Sequence, residues 1–343
     1  MNKLKYIFIL LLVASCQKWQ GEDLIDQVRE EGTIQVNLLK TKAYTNAMRE
    51  ETLTTNLVYF VFSKNGALMK SGYISSDSGF SVTVPYGEMT LYVLANIDPS
   101  NFATVKNRLQ FDNCQIKVYN GSPMNFVPMM GKETFTLNQS SKTIVITLER
   151  YISRLNITKI FNRLTGQLTG KDMLVKYAYL TNVQGGFVIG FRANSSHWVS
   201  KFGRPDKGNV TKDSRITSSD QLLSSGNTFR NISKTVVHNG DLNFTKPLFM
   251  YAFPNYTQSD VTGWSDKFTE RFTRLVLVVE IDGLDYYYPV NLTNMRCNTA
   301  YDVSFVITKL GSDDPDTFDF VEMQDATIDF GGMDEGWDIE IEL

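Results

Sequence analysis

The chain has 343 residues, of which 42% are hydrophobic and 21% charged, and its formal net charge is −3 at pH 7. This composition is typical of a folded globular protein, and the length suits about two domains at the usual ~100–200 residues each. Lysine and arginine are scattered among acidic residues, which argues against a nucleic-acid partner, and three cysteines are too few for a disulfide framework.

Segment 1–16 has the pattern of a lipoprotein signal. Basic residues at positions 3 and 5 precede a short apolar run at 6–13, and Ala14 and Ser15 stand directly before Cys16. Such a signal predicts export, with a lipid on Cys16 that tethers the chain to a bacterial membrane. An ordinary signal peptide with a chance cysteine is the alternative. The apolar run is shorter than the roughly 20 residues that a membrane-spanning helix needs.

A polar, acidic linker at 17–32 leads into a first set of predicted strands. Segment 33–38 alternates, which places Ile34, Val36 and Leu38 on one face of a half-buried strand. The Asn65-Gly66 pair predicts a hairpin turn. The other strands of this set are predicted at 57–62, 68–74, 80–84, 89–95, 134–137 and 143–148.

A second set of strands begins near residue 150. The Asp282-Gly283 pair predicts another hairpin, and the segment at 184–243, rich in serine, asparagine, glycine and lysine, predicts surface loops with short elements. The strands are predicted at 153–160, 175–181, 248–252, 274–281, 284–290, 301–308 and 326–330.

The last seven residues, 337–343, alternate strictly between apolar and acidic side chains. The apolar side chains all point to one face, and they belong to Trp337, Ile339, Ile341 and Leu343. A strand of this kind buries one face and solvates the other. It therefore fits either an ordinary final strand of its own domain or a strand donated to a neighbouring chain.

No motif for catalysis, a metal or a cofactor stands out, so we expect a protein that is not an enzyme and holds no cofactor. His197 and His238 lie in loop-like surroundings without the spacing of zinc ligands. The acidic cluster at 313–319 lacks the central glycine and terminal glutamate of a calcium loop. Cys114 and Cys297 are expected to be unpaired, buried thiols, with a bridge between them as the minor alternative.

The order of these features resembles the fimbrillins, the structural subunits of the type V pili of Bacteroidales. The resemblance begins with the cysteine signal, the strand at 33–38 and the polar connector that carries Arg49. It continues through LYVLAN at 91–96, IVITLER at 144–150 and NTAYDV at 298–303. It spans nearly the whole mature chain through diffuse patterns, and only the cysteine signal is a sharp motif.

The resemblance implies an all-β protein with two tandem transthyretin-like Greek-key β-sandwich domains. The chain then divides into four parts: signal at 1–16, propeptide with first strand at 17–49, N-terminal domain at 50–152 and C-terminal domain at 153–343. It also implies an outer-membrane lipoprotein precursor that an arginine- or lysine-specific protease cuts in the connector, where Arg49 matches the site. The mature form would then belong to a cell-surface fimbrium that supports adhesion.

Removal of the first strand would expose an apolar groove lined by the partners of Ile34, Val36 and Leu38. An open groove of this kind favours a strand from another subunit, and the segment at 337–343 is the candidate donor. Contacts of this head-to-tail type do not close, so they build a filament.

Three alternatives remain open at this point. The cut could fall at Arg29, Lys40 or Lys42 instead of Arg49. The chain could be an anchor, accessory or tip lipoprotein that does not polymerise. Its second domain could instead bind carbohydrate or a host protein through loop aromatics such as Trp198 and Trp264.

Overall fold

The computed structural model describes most of the chain, namely residues 30–40, 54–117, 127–190, 193–199, 229–258, 270–293, 295–313 and 326–331. Nearly all regular structure within these ranges is β-strand, which confirms the all-β class. Among the described residues, no helix combines the length and the hydrophobicity needed to cross a membrane.

In the described residues of the first part of the chain there are eight strands, a 3₁₀ turn and a short helix. A 3₁₀ turn at Pro99–Phe102 and a helix α1 at Arg108–Asp112 follow the fifth strand. The strands are β1 (Glu31–Lys40), β2 (Val58–Ser63), β3 (Leu68–Tyr73), β4 (Gly79–Pro85), β5 (Gly87–Ala95), β6 (Gln115–Lys117), β7 (Met129–Leu137) and β8 (Ser141–Arg150).

Seven of these strands form one sheet in the order β3-β2-β5-β7-β8-β1-β4. β7 and β8 pair only through Met129 and Met130, so the sheet turns a corner there. The two halves then face each other, because side chains from β1, β4 and β8 pack in one apolar cluster with side chains from β2, β5 and β7. This arrangement is a β-sandwich.

The described segments of the second part of the chain contain eleven strands and a 3₁₀ turn at Gly166–Leu168. The strands are β9 (Ser153–Asn162), β10 (Met173–Thr181), β11 (Val183–Gln184), β12 (Gly186–Val188), β13 (Trp198–Val199), β14 (Phe229–Val236), β15 (Asp241–Ala252), β16 (Thr273–Ile281), β17 (Leu284–Leu292), β18 (Thr299–Ile307) and β19 (Ala326–Gly331).

The second part repeats the strand order of the first. One sheet runs β14-β10-β16-β17 and the other β15-β9-β18-β19, with an apolar core between them. In both parts the leading strand, β1 or β9, lies between an antiparallel neighbour and a parallel one. β19 is an addition, because it pairs with the outer edge of β18.

The predicted strands agree with the observed ones in type and in approximate position, and both predicted hairpins are present. The prediction of loops at 184–243 is wrong for β14 and for the start of β15. β14 is an edge strand whose residues are mostly half-buried or exposed, so it lacks the apolar alternation that signals a strand. Segment 337–343 lies outside the described residues.

An aromatic cluster covers the outer face of the first sandwich and continues into the second part. Phe60 and Tyr92 point outward from β2 and β5, and both rings contact Phe111 of α1 at centroid distances of 5.0 and 4.8 Å. β6 pairs with β12, which brings Phe187 to 4.2 Å from the ring of Tyr151. One apolar cluster therefore contains residues from both parts of the chain, so it does not separate them into two cores. The predicted domain boundary at 152/153 stays a prediction.

The buried phenol of Tyr92 makes the stability of the protein depend on pH in the alkaline range. Burial raises the pKa of Tyr92 to about 12, and the carboxylate of Asp112 contributes in the same direction. The folded protein favours the protonated phenol, so this stabilisation is complete below the unfolded pKa of about 10 and is lost as the pH rises towards 12. We expect the free energy of unfolding to fall in this window. Urea titrations at several pH values measure this loss. The free energy of unfolding of the Tyr92→Phe variant should fall less steeply with pH than that of the native protein, and equal slopes would contradict the assignment to Tyr92.

Candidate functional site

β1 is the first described strand of the chain, yet it lies inside a sheet. β4 runs antiparallel on one side of it and β8 runs parallel on the other. Gln35, for example, stands opposite Ser81 of β4 and Thr143 of β8. Because β1 pairs along nearly its whole length, it supplies hydrogen-bond partners to the backbone N–H and C=O groups of both neighbours. We call the space that β1 occupies between β4 and β8 the β1 groove.

The inward face of β1 fills three apolar pockets in the core of the first sandwich. Ile34, Val36 and Leu38 are 0%, 2% and 7% exposed, and we call their sites the first, second and third pockets. A fully buried side chain of this size contributes about 1.5–3 kcal/mol, so the three together contribute roughly 5–9 kcal/mol. That sum is comparable to the whole stability of a typical domain, about 5–15 kcal/mol. A sandwich without a strand in the β1 groove would therefore be barely stable.

The outward face of the same region carries uncharged, mostly polar side chains. Asn37 is exposed, and the hydroxyl of Ser81 donates a hydrogen bond of 2.5 Å to the amide oxygen of Gln35. The neighbouring positions of β8 that face outward include Thr143 and Thr147. This face tolerates charged side chains because they would stay in water.

The β1 groove is closed at the end where Gly32 lies. A Cβ atom there would stand 2.6 Å from the carbonyl oxygen of Gln139 and 3.1 Å from that of Ser140, while the ring of Tyr86 would be 2.9 Å away. Two of these atoms belong to backbone, so only glycine fits without a shift of the chain. The amide of Thr33 donates to the Ser140 carbonyl at 2.9 Å and fixes this end. We call this position the closed end.

Chain connectivity makes β1 removable. The chain leads from β1 to β2 through a connector, 41–57, which contains Arg49, and no other described strand comes before β1. One cut in the connector would therefore separate β1 from every other described strand. After its departure β4 and β8 would each keep an unpaired edge with apolar pockets between them. Open edges of this kind favour the addition of another strand.

The structure thus places three of the predicted residues together on one buried face, namely Ile34, Val36 and Leu38. Their role in strand exchange stays a prediction. The other proposed site residues lie outside the described residues, and they are Cys16, Arg49, Trp337, Ile339, Ile341 and Leu343. The same holds for Trp264 and for the alternative cleavage sites Arg29 and Lys42. The closed end at Gly32 was missed in the sequence, where the only signal was a glycine directly before an alternating strand.

Among the residues that the structure describes, the remaining candidates do not form a second site. Trp198 lies in β13, is 8% exposed and stands opposite Gln184, so it is a core residue and offers no loop surface. Neither Cys114 nor Cys297 forms a disulfide, as predicted, but both are half-buried, whereas we expected buried thiols. Within the described part of the chain, no group of three or more histidine, cysteine or acidic residues could hold a metal ion.

No protein-family model matches the chain and no curated protein does. Solved structures match it over most of its length. A proposed cell adhesion protein from Bacteroides eggerthii is 14% identical, with a TM-score of 0.60 over 88% of this chain and 95% of that one. A fimbrilin from Porphyromonas gingivalis is 14% identical, with a TM-score of 0.55 over 88% of this chain and 97% of that one.

The tip fimbrial protein of Porphyromonas gingivalis, with a C-terminal truncation, is also similar. It is 11% identical, with a TM-score of 0.52 over 88% of this chain and 98% of that one. At these identities the likeness shows a shared fold. The structural neighbours are Bacteroidales fimbrial proteins, so the all-β, β-sandwich fold that the fimbrillin resemblance implied is confirmed, while its division into two tandem domains stays a prediction.

The buried face of β1 should dominate the stability of the first sandwich. Ile34→Ala in the full-length chain leaves a cavity in the first pocket, and we expect a loss of about 2–5 kcal/mol in the free energy of unfolding. Asn37→Ala, on the exposed face of the same strand, is the matched control and should change it by less than about 0.5 kcal/mol. Urea unfolding measures both, and equal losses would show that β1 is not held through its inward face.

Proposed function

We propose that this protein is a structural subunit of a type V pilus, made as an outer-membrane lipoprotein precursor and polymerised by strand exchange after proteolysis. The observation that carries the proposal is the position of β1. An N-terminal strand fills an interior groove of a sandwich and is joined to β2 by a connector with a basic residue. The shared fold with fimbrial proteins of Bacteroidales supports the same function.

In this proposal an arginine- or lysine-specific protease cuts after Arg49 and releases β1 together with the segment that carries the lipid. The emptied β1 groove then accepts a strand from another subunit, and segment 337–343 is the proposed donor. Its four apolar side chains supply the burial that the groove loses with β1. Each subunit accepts at one site and donates from another, so the assembly grows head to tail.

The proposal places the precursor at the outer membrane and the mature form in a cell-surface fimbrium. The lipid on Cys16 would hold the precursor until the cut. Adhesion to a host protein or a glycan would then be a property of the assembled fimbrium. The burial of Trp198 gives no support to a binding surface built on that residue. An anchor or accessory subunit would keep its lipid, so the N-terminus of the mature form distinguishes it from a polymerising subunit.

Arg49 is the proposed cleavage site, so Arg49→Gln should stop maturation. Fimbriae sheared from cells with the native protein should yield a subunit that begins at Glu50 in N-terminal sequencing. Cells with Arg49→Gln should accumulate the uncut precursor and no polymer. Arg29→Gln is the control and should mature normally. A surface-exposed mature form that keeps Cys16 would contradict the proposal of a polymerising subunit and would favour an anchor. A mature N-terminus directly after Arg29, Lys40 or Lys42 would show that the protease cuts there instead of after Arg49.

Cys16 is the proposed lipidation site. Metabolic labelling with palmitate should mark the precursor, and Cys16→Ala should abolish both the label and the retention of the precursor in the outer-membrane fraction. Cys114→Ala is the control, because Cys114 is a half-buried thiol of the folded part and should leave the label unchanged. Labelling that survives Cys16→Ala would contradict the lipoprotein assignment.

A further inference from the structure

We infer that the outer edge of β4 pairs with the same edge of a second copy of this chain, antiparallel and with Ser81 opposite Ser81. β4 ends the seven-stranded sheet, and β1 is the one strand that pairs with it within the described residues. The inferred contact lies on the side of β4 that faces away from the β1 groove, so it goes beyond the proposed function.

The backbone of β4 alternates between its two sides. Directly after β4, the amide of Tyr86 donates a hydrogen bond of 2.8 Å to the carbonyl of Glu30. Because hydrogen-bonded pairs recur at every second residue of an antiparallel ladder, the even-numbered residues of β4 bond to β1. The backbone N–H and C=O groups of Gly79, Ser81 and Thr83 therefore point to the outer edge.

Other edge strands in the described part of the chain carry features that hinder the addition of a strand. β3 has a bulge and the exposed Lys70. The pairing of β14 shifts register, and β15 has a bulge between Asn243 and Leu248. The outer side of β17 pairs with Ser312. Bulges, charges and coverings of this kind are the means by which sheets protect their edges.

β4 has none of these features within the residues that the structure describes. Its pairing with β1 runs without a register shift, its sequence GFSVTVP is uncharged, and its proline is the last residue. Ser81 and Thr83 are exposed on the outward face, whereas Val82 and Val84 are buried in the core. A regular, uncharged edge is a template for another strand.

This edge is complementary to itself. With Ser81 opposite Ser81, Gly79 stands opposite Thr83, so the outer N–H groups of all three residues meet carbonyl oxygens of the other copy. A shift of the register in one direction brings in Pro85, which has no N–H. A shift in the other direction moves Thr83 past the first residue of β4. One register therefore satisfies the whole edge, and the contact is symmetric and closes with two copies.

The inward side chains favour the same register. Phe80 is half-buried, and its ring lies 5.0 Å from the ring of Tyr59. In the inferred pair, Phe80 stands opposite Val82 of the other copy, so the exposed part of the ring gains an apolar neighbour. Aromatic and β-branched side chains are a favourable cross-strand pair. No like charges meet along β4, because the strand has none.

The contact would matter most when β1 leaves. Among the described strands β4 pairs with β1 alone, so the departure of β1 would remove its strand neighbour within the subunit. The second copy would then keep β4 extended and paired until another strand arrives. This role of the contact rests on the proposed function, whereas the contact itself does not.

Disulfide trapping in the full-length, uncut chain tests the register. Ser81→Cys and Thr83→Cys are each combined with Cys114→Ser and Cys297→Ser and treated with a mild oxidant. In the inferred pair the two Ser81 Cα atoms lie about 5.5 Å apart, which a disulfide spans. The two Thr83 Cα atoms lie at least about 13 Å apart, because four residues separate them along the strands. Both variants keep Cys16, so links through that thiol affect them equally.

We expect Ser81→Cys to give at least about tenfold more linked dimer than Thr83→Cys, since its thiols alone lie within disulfide range. Equal yields would indicate random collision and would overturn the inference. A dimer from Thr83→Cys alone, or no dimer from either variant, would overturn it as well.

Sedimentation of the uncut chain at concentrations up to ~100 μM gives a second readout, because a contact through one strand pair is small and therefore weak. Ser81→Lys places two like charges opposite each other, so we expect the dissociation constant of the dimer to rise at least about tenfold. Thr143→Lys adds the same charge to the exposed face of β8 and should change it less than about twofold. A monomer throughout, or equal effects of the two variants, would overturn the inference.

These experiments need no cut at Arg49. Their failure would leave the proposed maturation and strand exchange in place. Failure of maturation would likewise leave the contact between the two β4 edges in place and would remove only its proposed role during the departure of β1.

Discussion

The structure depends on a strand that fills the interior of a sheet and enters it from the N-terminal end of the chain. β1 supplies hydrogen bonds to β4 and to β8 and closes the core with Ile34, Val36 and Leu38. Both contributions are large, because an unpaired edge attracts other strands and three fully buried side chains are worth about as much as a domain's net stability. The first sandwich therefore requires an occupant in this groove, whether that occupant is β1 or a strand from another subunit.

The second sandwich has the same strand order but offers no equivalent opening. Its leading strand, β9, occupies the place of β1 and is continuous with β8 on one side and β10 on the other. A single cut could not release it. The first sandwich thus has a leading strand that one cut in the chain could detach, whereas the leading strand of the second sandwich is joined to the chain on both sides. In the proposed function, this asymmetry gives the assembly a direction. The aromatic cluster around Phe111, Phe187 and Phe253 links the two parts through apolar contact.

Much of the fold could be predicted from local patterns in the sequence. Alternation at 33–38 was sufficient to identify β1 and its buried face, and Asp282-Gly283 identified the hairpin between β16 and β17, where both residues adopt positive φ. β14 was missed because an edge strand buries little of its surface and so carries little alternation. The closed end was missed because Gly32 before a strand is indistinguishable from an ordinary turn glycine until the turn that contains Gln139 and Ser140 lies against it.

The sequence by itself determined the β class, the positions of most strands and the set of side chains that each strand buries. These properties depend on the two-residue period of an extended chain, which is local. Only the tertiary structure decided that β1 lies between β4 and β8, that its parallel partner follows more than a hundred residues later, and that one end of its groove admits glycine alone. These properties depend on contacts between distant segments, which the period of a single strand does not encode.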